Sequence, residues 1–143
     1  MQVQQIMNQH AEVIDPNATL RDVAKRMRRD NLGAYPVGEN DRLIGMVTDR
    51  DIILRGIAED RPPATSTVRE VMSEKVFYCF DDDDVDDAAA IMADHQVRRI
   101  PVLNHEKRLV GVVALADLGL SEANSVKAAI RGVCEPSEIA RRM

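Results

Sequence analysis

A hydroxyl and a carboxylate lie close together in the tetrapeptide Thr48-Asp49-Arg50-Asp51, which follows a strongly apolar run. An Asp carboxylate can accept hydrogen bonds from both hydroxyls of a ribose, which binds the diol in one orientation. The Thr48 hydroxyl and the first N–H groups of a following helix can face a phosphate or a ribose oxygen. The alternative is that Thr48 and Asp51 only cap a helix, as such residues commonly do. The tetrapeptide by itself leaves both interpretations open.

The elements that must position this turn occur twice in the chain. Val3-Gln4-Gln5-Ile6-Met7 returns in the second half of the sequence as Val68-Arg69-Glu70-Val71-Met72. The second copy has a single insertion in a polar turn, and the register between the copies continues after it. Equivalent residues in the two copies include Pro36 and Pro101, Gly45 and Gly111, and Asp51 and Asp117. Two copies of one unit are expected to pack about a pseudo-twofold axis that creates paired clefts, where ligands bind.

Each copy predicts the element order β-α-β-β-α. Apolar residues at helical spacing follow Thr19 and Asp84, which are the expected N-caps of the first helix in each copy. The predicted strands are 12–14, 34–37 and 43–47 in the first copy and 77–79, 99–102 and 109–113 in the second. A short helix opened by Asp51 or Asp117 ends each copy. Beyond residue 120, a weak apolar stripe predicts one more helix.

The bulk composition indicates a soluble, non-membrane protein with one aliphatic core. Apolar residues make up 45% of the 143 positions and aromatic residues only 3%. A repeat of about 50 residues is too small to bury a good core alone, so we expect the two copies to share one. A net charge of −5 disfavours nucleic acid and anionic membranes as partners. The apolar runs are all far shorter than a membrane-spanning helix requires.

The N-terminus lacks the basic and apolar regions of a signal peptide. Cys79 and Cys134 are isolated and lack metal-ligand spacing. A cytoplasmic protein with two reduced thiols is therefore the simplest expectation.

An acidic run, Asp81-Asp82-Asp83-Asp84-Val85-Asp86-Asp87, has the charge to attract Mg²⁺ or Ca²⁺. It lacks the Gly and terminal Glu of an EF-hand loop, and acid at a helix N-terminus is favoured by the helix dipole. The three histidines are scattered, and the chain has no nucleophile elbow, P-loop or zinc motif. We therefore expect no catalytic residues, no metal ligands and no enzyme activity.

Taken together, the repeated motifs resemble a tandem pair of CBS domains, the repeats named after cystathionine β-synthase. The resemblance is carried by the Val-x-x-Ile/Val-Met starts, by Tyr35-Pro36-Val37 and Ile100-Pro101-Val102, and by the segments 43–51 and 109–117. It covers residues 3 to 120 and is closest in kind to the stand-alone bacterial and archaeal two-repeat proteins, because no catalytic domain is left over. The resemblance implies an α/β (α+β) fold of two β-α-β-β-α repeats packed sheet to sheet, with two equivalent clefts, and a C-terminal helical tail.

Members of this family bind AMP, ADP, ATP, S-adenosylmethionine and sometimes NAD-type molecules in those clefts, and none is required as a cofactor. The resemblance carries the family's ribose-binding motif onto Thr48 and Asp51. In the second copy Asp117 remains while Ala114 replaces the hydroxyl, which puts that cleft in doubt. Asp117 is equally well explained as a helix cap.

Two guanidinium groups at Arg98 and Arg99 suit phosphate geometry, and similar proteins place basic side chains there against the nucleotide phosphate. The alternative is that both arginines lie on the surface or pair with Asp. Arg50 faces either outward or towards phosphate. Small residues at the equivalent positions of the first copy leave room for adenine. By resemblance, backbone groups near residues 11–14 contact adenine together with Tyr35 and Pro36, and the alternative for these is ordinary strand packing. The predicted adenine pocket is therefore Val13, Ile14, Gly33, Ala34, Tyr35 and Pro36.

The predicted organisation is repeat 1 at residues 1–58, a linker at 59–67, repeat 2 at 68–120 and a helical extension at 121–143. The predicted function is a non-catalytic sensor module that binds an adenosine-containing nucleotide between the repeats. By resemblance it forms a homodimer, and it can act on an unidentified protein target. The alternative is a ligand-free interaction or scaffold protein that acts through its dimer and tail surfaces.

Overall fold

The computed structural model describes residues 1–119, which form a mixed α and β fold with two small sheets. The helices and strands are α1 (Leu20–Asp30), β1 (Ala34–Glu39), β2 (Arg42–Thr48), α2 (Asp49–Asp51), β3 (Cys79–Phe80), α3 (Val85–His95), β4 (Arg99–Leu103), β5 (Leu109–Ala114) and α4 (Leu115–Leu118). The predicted mixed fold of two β-α-β-β-α repeats is confirmed. The predicted C-terminal helix lies outside the described residues.

The first helix of each repeat begins at the predicted cap. Thr19 Oγ1 accepts a hydrogen bond of 3.2 Å from the Asp22 N–H, and Asp84 Oδ1 accepts one of 2.9 Å from the Asp86 N–H. Both helices bury an apolar face: Leu20, Val23 and Met27 in α1, and Val85, Ala88, Ala89 and Met92 in α3. Each then ends at a residue in the left-handed region, Asn31 or Gln96.

The hairpin of β1 and β2 places the turn after β2 beside the residues that precede β1. The antiparallel register pairs Ala34 with Thr48 at one end and Glu39 with Arg42 at the other. Asn40 and Asp41 form the connection with positive φ angles of 55° and 62°, the left-handed pair that such a tight hairpin turn needs.

The strand predicted at 12–14 is reduced to one parallel bridge between Ile14 and Val37. The Ile14 N–H donates to Pro36 O at 2.9 Å, and Ile14 O accepts the Gly38 N–H at 3.0 Å. Pro16 has no N–H with which to extend the ladder. Its counterpart in the second repeat is a short strand, β3, which pairs parallel with β4 and ends just beyond the predicted position.

The compact units do not follow the order of the repeats. One unit comprises Glu12–Val76 and Lys107–Leu109, and the other comprises Met1–Ala11, Phe77–Glu106 and the chain from Val110. The 3-10 turn Val68–Glu70, which starts the second repeat, therefore packs in the unit of α1, β1 and β2. The turn Val3–Gln5, which starts the first repeat, packs in the unit of α3, β4 and β5.

The expectation of one shared core is therefore wrong, because the buried apolar side chains form two clusters, one in each unit. Each unit completes its cluster with the apolar segment that begins the other repeat: Val68, Val71 and Met72 in one, and Val3 with the half-buried Ile6 and Met7 in the other. This exchange supplies the apolar area that so short a repeat lacks.

A glycine of β2 and one of β5 accommodate these exchanged segments. A Cβ on Gly45 would lie 2.8 Å from Ser73 O and 2.9 Å from Met72 Sδ. A Cβ on Gly111 would lie 2.9 Å from both Asn8 O and Met7 Sδ. Both positions thus require a residue without a side chain. None of the helices in the described part of the chain is long and apolar enough to cross a bilayer.

Candidate functional site

Thr48 and Asp51 cap the start of α2 by two reciprocal hydrogen bonds. The Asp51 N–H donates to Thr48 Oγ1 at 3.1 Å, and the Thr48 N–H donates to Asp51 Oδ2 at 3.0 Å. Both side chains are half-buried. The capping role is therefore present. It leaves the Thr48 hydroxyl proton and the second Asp51 oxygen available to a ligand, because a hydroxyl that accepts one bond can still donate and a carboxylate can accept several bonds.

Gly33 and Ala34 lie against the same turn. The Asp49 N–H donates to Gly33 O at 2.9 Å, and Ala34 is the β1 partner of Thr48. A Cβ on Gly33 would lie only 2.8 Å from Asp49 Oδ2, so a larger residue here would displace the Asp49 carboxylate. The structure thus brings together Gly33, Ala34, Thr48 and Asp51.

Arg50 lies in the same turn, and its side chain is exposed. Its backbone N–H donates to Asp49 Oδ1 at 2.8 Å. Its guanidinium makes no hydrogen bond or ion pair with another residue among positions 1–119.

The remaining residues of the predicted adenine pocket lie inside the core or beside the far end of the hairpin. Ile14 and Tyr35 are 1% and 2% exposed, and the backbone groups of Ile14 already bond to Pro36 and Gly38. Pro36 is buried as well. Val13 is exposed and lines a cavity of about 240 Å³ at the Asn40-Asp41 end of the hairpin, opposite to the Thr48 end.

A polar network joins the end of α1 to β1 behind this turn. The Tyr35 hydroxyl donates to Asp30 Oδ2 at 2.8 Å and lies 3.0 Å from Arg26 O. Burial and the Asp30 carboxylate raise the pKa of Tyr35 to about 12. Hydrogen bonds from Arg29 and Tyr35 hold the pKa of Asp30 well below its usual range. The phenol therefore stays protonated and fixes the position of β1.

The second repeat repeats the geometry of the turn without the hydroxyl. Asp117 Oδ2 accepts the Ala114 N–H at 2.8 Å, and the Leu115 N–H donates to Arg98 O at 2.8 Å. Ala114 has no hydroxyl, so it cannot accept the second capping hydrogen bond that Thr48 accepts in the first repeat. Asp117 is therefore placed as Asp51 is, with half of the capping pair.

Arg98 and Arg99 adjoin this second turn. With Ala114, Leu115, Ala116 and Gly119 they line an open cavity of about 450 Å³. Arg98 is exposed and Arg99 half-buried, and neither forms an ion pair with a residue of the described chain. The two arginines accordingly lie in the unit of Asp117, whereas Thr48 and Asp51 lie in the other unit.

Sequence reasoning missed Asp49, Leu115 and Ala116. The alignment of the two repeats would have found them, because Gly33 and Asp49 are the equivalents of Arg98 and Leu115.

The acidic run forms the N-terminus of α3, and two of its members meet a histidine. His105 Nε2 lies 2.7 Å from Asp82 Oδ2, and this hydrogen bond raises the pKa of His105. One ligand atom each from Asp81, Asp82 and His105 lie within 4.8 Å of one another. All three are at least partly exposed.

The sequence model of the CBS domain matches residues 3–56 and 68–118. Hypoxic response protein 1 of Mycobacterium tuberculosis is 36% identical over 138 residues, which cover 94% of this chain and 95% of that protein. A crystal structure of Hypoxic Response Protein I with two coordinated zinc ions has a TM-score of 0.77 at 35% identity and covers 86% of this chain and 100% of that one.

A more distant solved structure shares the fold. The CBS domain pair of protein MJ0100, crystallised in complex with 5-methylthioadenosine and S-adenosyl-L-methionine, has a TM-score of 0.70 at 24% identity. It covers 84% of this chain and 98% of that chain.

Proposed function

This chain belongs to the CBS domain family, and we propose that it is a non-catalytic regulatory module that binds an adenosine-containing ligand at the turn holding Thr48 and Asp51. The ligand class is AMP, ADP, ATP or S-adenosylmethionine. Binding can shift the equilibrium between two states of the protein. The free energy of that shift is no larger than the difference between the ligand's binding free energies for the two states.

The observation that carries the proposal is the convergence of four residues at one turn. Asp51 offers a half-buried carboxylate with one oxygen already oriented by the Thr48 N–H. The second oxygen can accept from a ribose hydroxyl, and the Thr48 hydroxyl can donate to a ribose oxygen. Gly33 and Ala34 add little or no side chain beside this turn, and the exposed Asp49 carboxylate, which lies against Gly33, must move aside for the base. An adenosine moiety fits a diol-binding carboxylate next to small residues at a strand end.

The other residues of the predicted adenine pocket have different roles in this proposal. Ile14 and Tyr35 have buried side chains, so they support the pocket by holding the hairpin in place. Pro36 lies on the hairpin, and Val13 lies beside its far end, next to Gly38. The adenosine ligands of the MJ0100 structure support the ligand class. At 24% identity, the structural likeness by itself establishes the fold and not the ligand.

Arg98, Arg99 and Asp117 form the second half of the proposal. Their cavity of about 450 Å³ has the size of a small-ligand site, and two guanidinium groups suit a phosphate. Asp117 is the candidate ribose ligand there, with Ala114 unable to assist. Arg50 is the candidate phosphate contact at the first turn. Ligand binding at the second site is expected to depend more on phosphate contacts than on ribose contacts.

A catalytic role has little support among the described residues. The Cys79 thiol is buried, and burial raises its pKa to about 12. Reactive cysteines need a lowered pKa and an exposed position. A reduced, buried thiol also fits the cytoplasmic location that we include in the proposal.

Self-association as a homodimer is also part of the proposal. Ile53, Leu54 and Ile57 follow α2 on one helical segment and are 57%, 47% and 52% exposed. Three large aliphatic side chains at adjacent helical positions form an apolar face that association would remove from water.

The alternative is a scaffold protein of the same fold that has lost its ligand. The observation that favours it is the complete reciprocal capping of Thr48 and Asp51, which gives both residues a structural role. In the second repeat, Ala114 stands where the first has the hydroxyl of Thr48.

Thermal melting with AMP, ADP, ATP and S-adenosylmethionine separates the two candidates, with GMP as a control for nonspecific stabilisation by a nucleotide. A ligand that binds only the folded state at 100 times its Kd stabilises the protein by about 2.7 kcal/mol and raises the midpoint. An unchanged midpoint with every adenosine compound at millimolar concentration would support the scaffold.

A further inference from the structure

Two aspartates and a histidine come together where two neighbouring parallel strands end. β3 pairs parallel with β4, and the register places Phe80 opposite Leu103. The residues that follow these two strands therefore lie at the same edge of the sheet. Asp81 and Asp82 follow β3, and His105 lies in the turn after β4. All of these residues belong to one compact unit.

A backbone hydrogen bond and a ring stack hold the histidine beside the aspartates. The Asp81 N–H donates to Leu103 O at 2.9 Å, which joins the segment after β3 to the end of β4. The His105 ring stacks on Phe80, with ring centroids 4.8 Å apart and an angle of 11° between the planes. His105 Nε2 lies 2.7 Å from Asp82 Oδ2. The imidazole is thus oriented with a ring nitrogen towards the carboxylates.

The three side chains have the donor types and the spacing of a metal site. One carboxylate oxygen each from Asp81 and Asp82 and one ring nitrogen of His105 lie within 4.8 Å of one another. Zn²⁺ holds such ligands at about 2.0–2.2 Å in a tetrahedron, in which neighbouring ligand atoms are roughly 3.4 Å apart. All three side chains are at least partly exposed. Small rotations of exposed side chains can therefore bring the donor atoms to that spacing.

The helix dipole explains other members of the acidic run but not this group. Asp84 and Asp87 cap the start of α3 by accepting backbone N–H groups. Asp82 bonds to His105 instead of to the helix. The half-buried carboxylate of Asp81 forms no hydrogen bond or ion pair within residues 1–119. Two carboxylates this close repel each other, and a bound cation would remove that repulsion.

We propose that Asp81, Asp82 and His105 bind one divalent first-row metal ion such as Zn²⁺. A ligand nitrogen favours Zn²⁺ over Mg²⁺ and Ca²⁺, which prefer sites made of oxygen atoms. The ion would connect the segment after β3 to the turn after β4. In the first repeat, Pro16 and Asn17 occupy the positions of Asp81 and Asp82, so the two carboxylates belong to the second repeat.

Metal binding at this edge goes beyond the proposed function and does not require it. Thr48 and Asp51 lie in the other unit, so the metal and the adenosine ligand would use different residues. The expectation of no metal ligands came from local spacing. Local spacing does not detect a histidine that lies 23 residues from its partner aspartate in the chain.

Isothermal titration of the full chain with ZnCl₂, after treatment with a chelator, tests the site. We expect one ion to bind per chain. His105→Gln, Asp81→Asn and Asp82→Asn should each weaken binding by about 10-fold or more, because the loss of a ligand costs at least as much as the loss of a second-shell partner. MgCl₂ should bind more weakly than ZnCl₂. Urea unfolding in EDTA checks that each variant is folded before metal is added.

His95→Gln and Asp94→Asn are the matched controls. His95 also stacks on a phenylalanine, Phe77, with ring centroids 3.5 Å apart, and Asp94 is exposed on α3. The controls change the same residue types and the same charges without removing a proposed ligand, so both should bind Zn²⁺ as the wild type does. Equal losses in the controls would show a general attraction of cations to an acidic surface and would overturn the proposal.

Cobalt provides a readout of the ligand types that does not depend on affinity. Co²⁺ held by nitrogen and oxygen should give weak visible bands that His105→Gln alters, without the strong near-ultraviolet absorption of a cobalt–thiolate bond. Cys134→Ser should leave the spectrum unchanged, because the proposed site contains no thiol. A thiolate band, or a spectrum that is the same in His105→Gln, would overturn the assignment of the ligands.

The outcomes separate this inference from the proposed function. A wild type that binds no Zn²⁺ at millimolar concentration would overturn the metal site, and so would binding that survives all three ligand substitutions. Thermal melting with the adenosine compounds still tests the turn of Thr48 and Asp51 in either case, because none of the substituted residues lies there.

Discussion

The Thr48 and Asp51 side chains each satisfy a backbone N–H of the other residue, through hydrogen bonds of 3.1 Å and 3.0 Å. The pair fixes the turn between β2 and α2 without a ligand. The proposed site would therefore not have to order these side chains upon binding, which lowers the cost of association.

Thr48→Ala should destabilise the fold by about 1 kcal/mol, because the Asp51 N–H loses its acceptor. The variant reproduces the situation at Ala114. The reverse substitution, Ala114→Thr, should stabilise the protein by roughly 0.5 kcal/mol by completing the second capping pair. Urea unfolding measures both, and a Thr48→Ala protein as stable as wild type would show that the cap contributes nothing.

Gly45→Ala should cost about 1–3 kcal/mol, because the new Cβ meets the backbone oxygen of Ser73 at 2.8 Å. Gly111→Ala should behave alike, since Asn8 O lies at 2.9 Å. Gly38→Ala is the milder comparison, because the nearest atom there belongs to the exposed side chain of Val13 and the nearest backbone atom, Arg42 O, lies farther away at 3.3 Å. Equal losses at all three positions in thermal melting would contradict the packing of the exchanged segments.

The pKa of His105 should lie above the ordinary value of 6.5, because Asp82 accepts its proton in a hydrogen bond. A raised pKa in the folded state means that the pair stabilises the fold below the unfolded pKa and that this stability is lost as pH rises through the folded pKa. An NMR titration of the His105 ring measures the value directly. Asp82→Asn should bring it back towards 6.5, and an unchanged titration would show that the pair is absent in solution.

Arg98→Gln should weaken the binding of AMP by about 10-fold and leave that of adenosine unchanged, because a guanidinium–phosphate bond is charge-assisted. Arg99→Gln is the companion variant, and Arg50→Gln tests the first turn in the same way. Isothermal titration with the two ligands gives the ratio. A parallel loss for adenosine would show that the arginine supports the fold rather than the phosphate.

Local signals in the sequence predicted the elements well. The caps Thr19 and Asp84 were predictable because the N-cap bond joins near neighbours in the chain. The length of the strand at Ile14 was overestimated. That length depends on Pro16 and on a partner distant in the sequence, Val37.

The exchange of the first segment between repeats could not be predicted, because Val3 and Val68 have the same apolar pattern in either packing. Local spacing carries no information on which of two similar clusters such a segment joins. The contact between Thr48 and Asp51 was predictable because the two residues are three apart at the start of a helix, whereas their role as a ligand site stays a prediction. Arg98 and Arg99 lie with Asp117 in the other unit. The alignment of the two repeats predicts this grouping when it is applied to the residues around the turn.

Asp51→Asn provides the most direct measurement of ligand binding at the Thr48 turn. The amide oxygen of Asn can still accept the Thr48 N–H, so the cap and the melting temperature should be retained. It loses the carboxylate that would accept both ribose hydroxyls, and hydrogen bonds to charged groups contribute about 1.5–3 kcal/mol. Isothermal titration with the adenosine compound that stabilises the wild type should therefore show an affinity at least about 10-fold weaker. An Asp51→Asn protein that binds with wild-type affinity would contradict the proposed site.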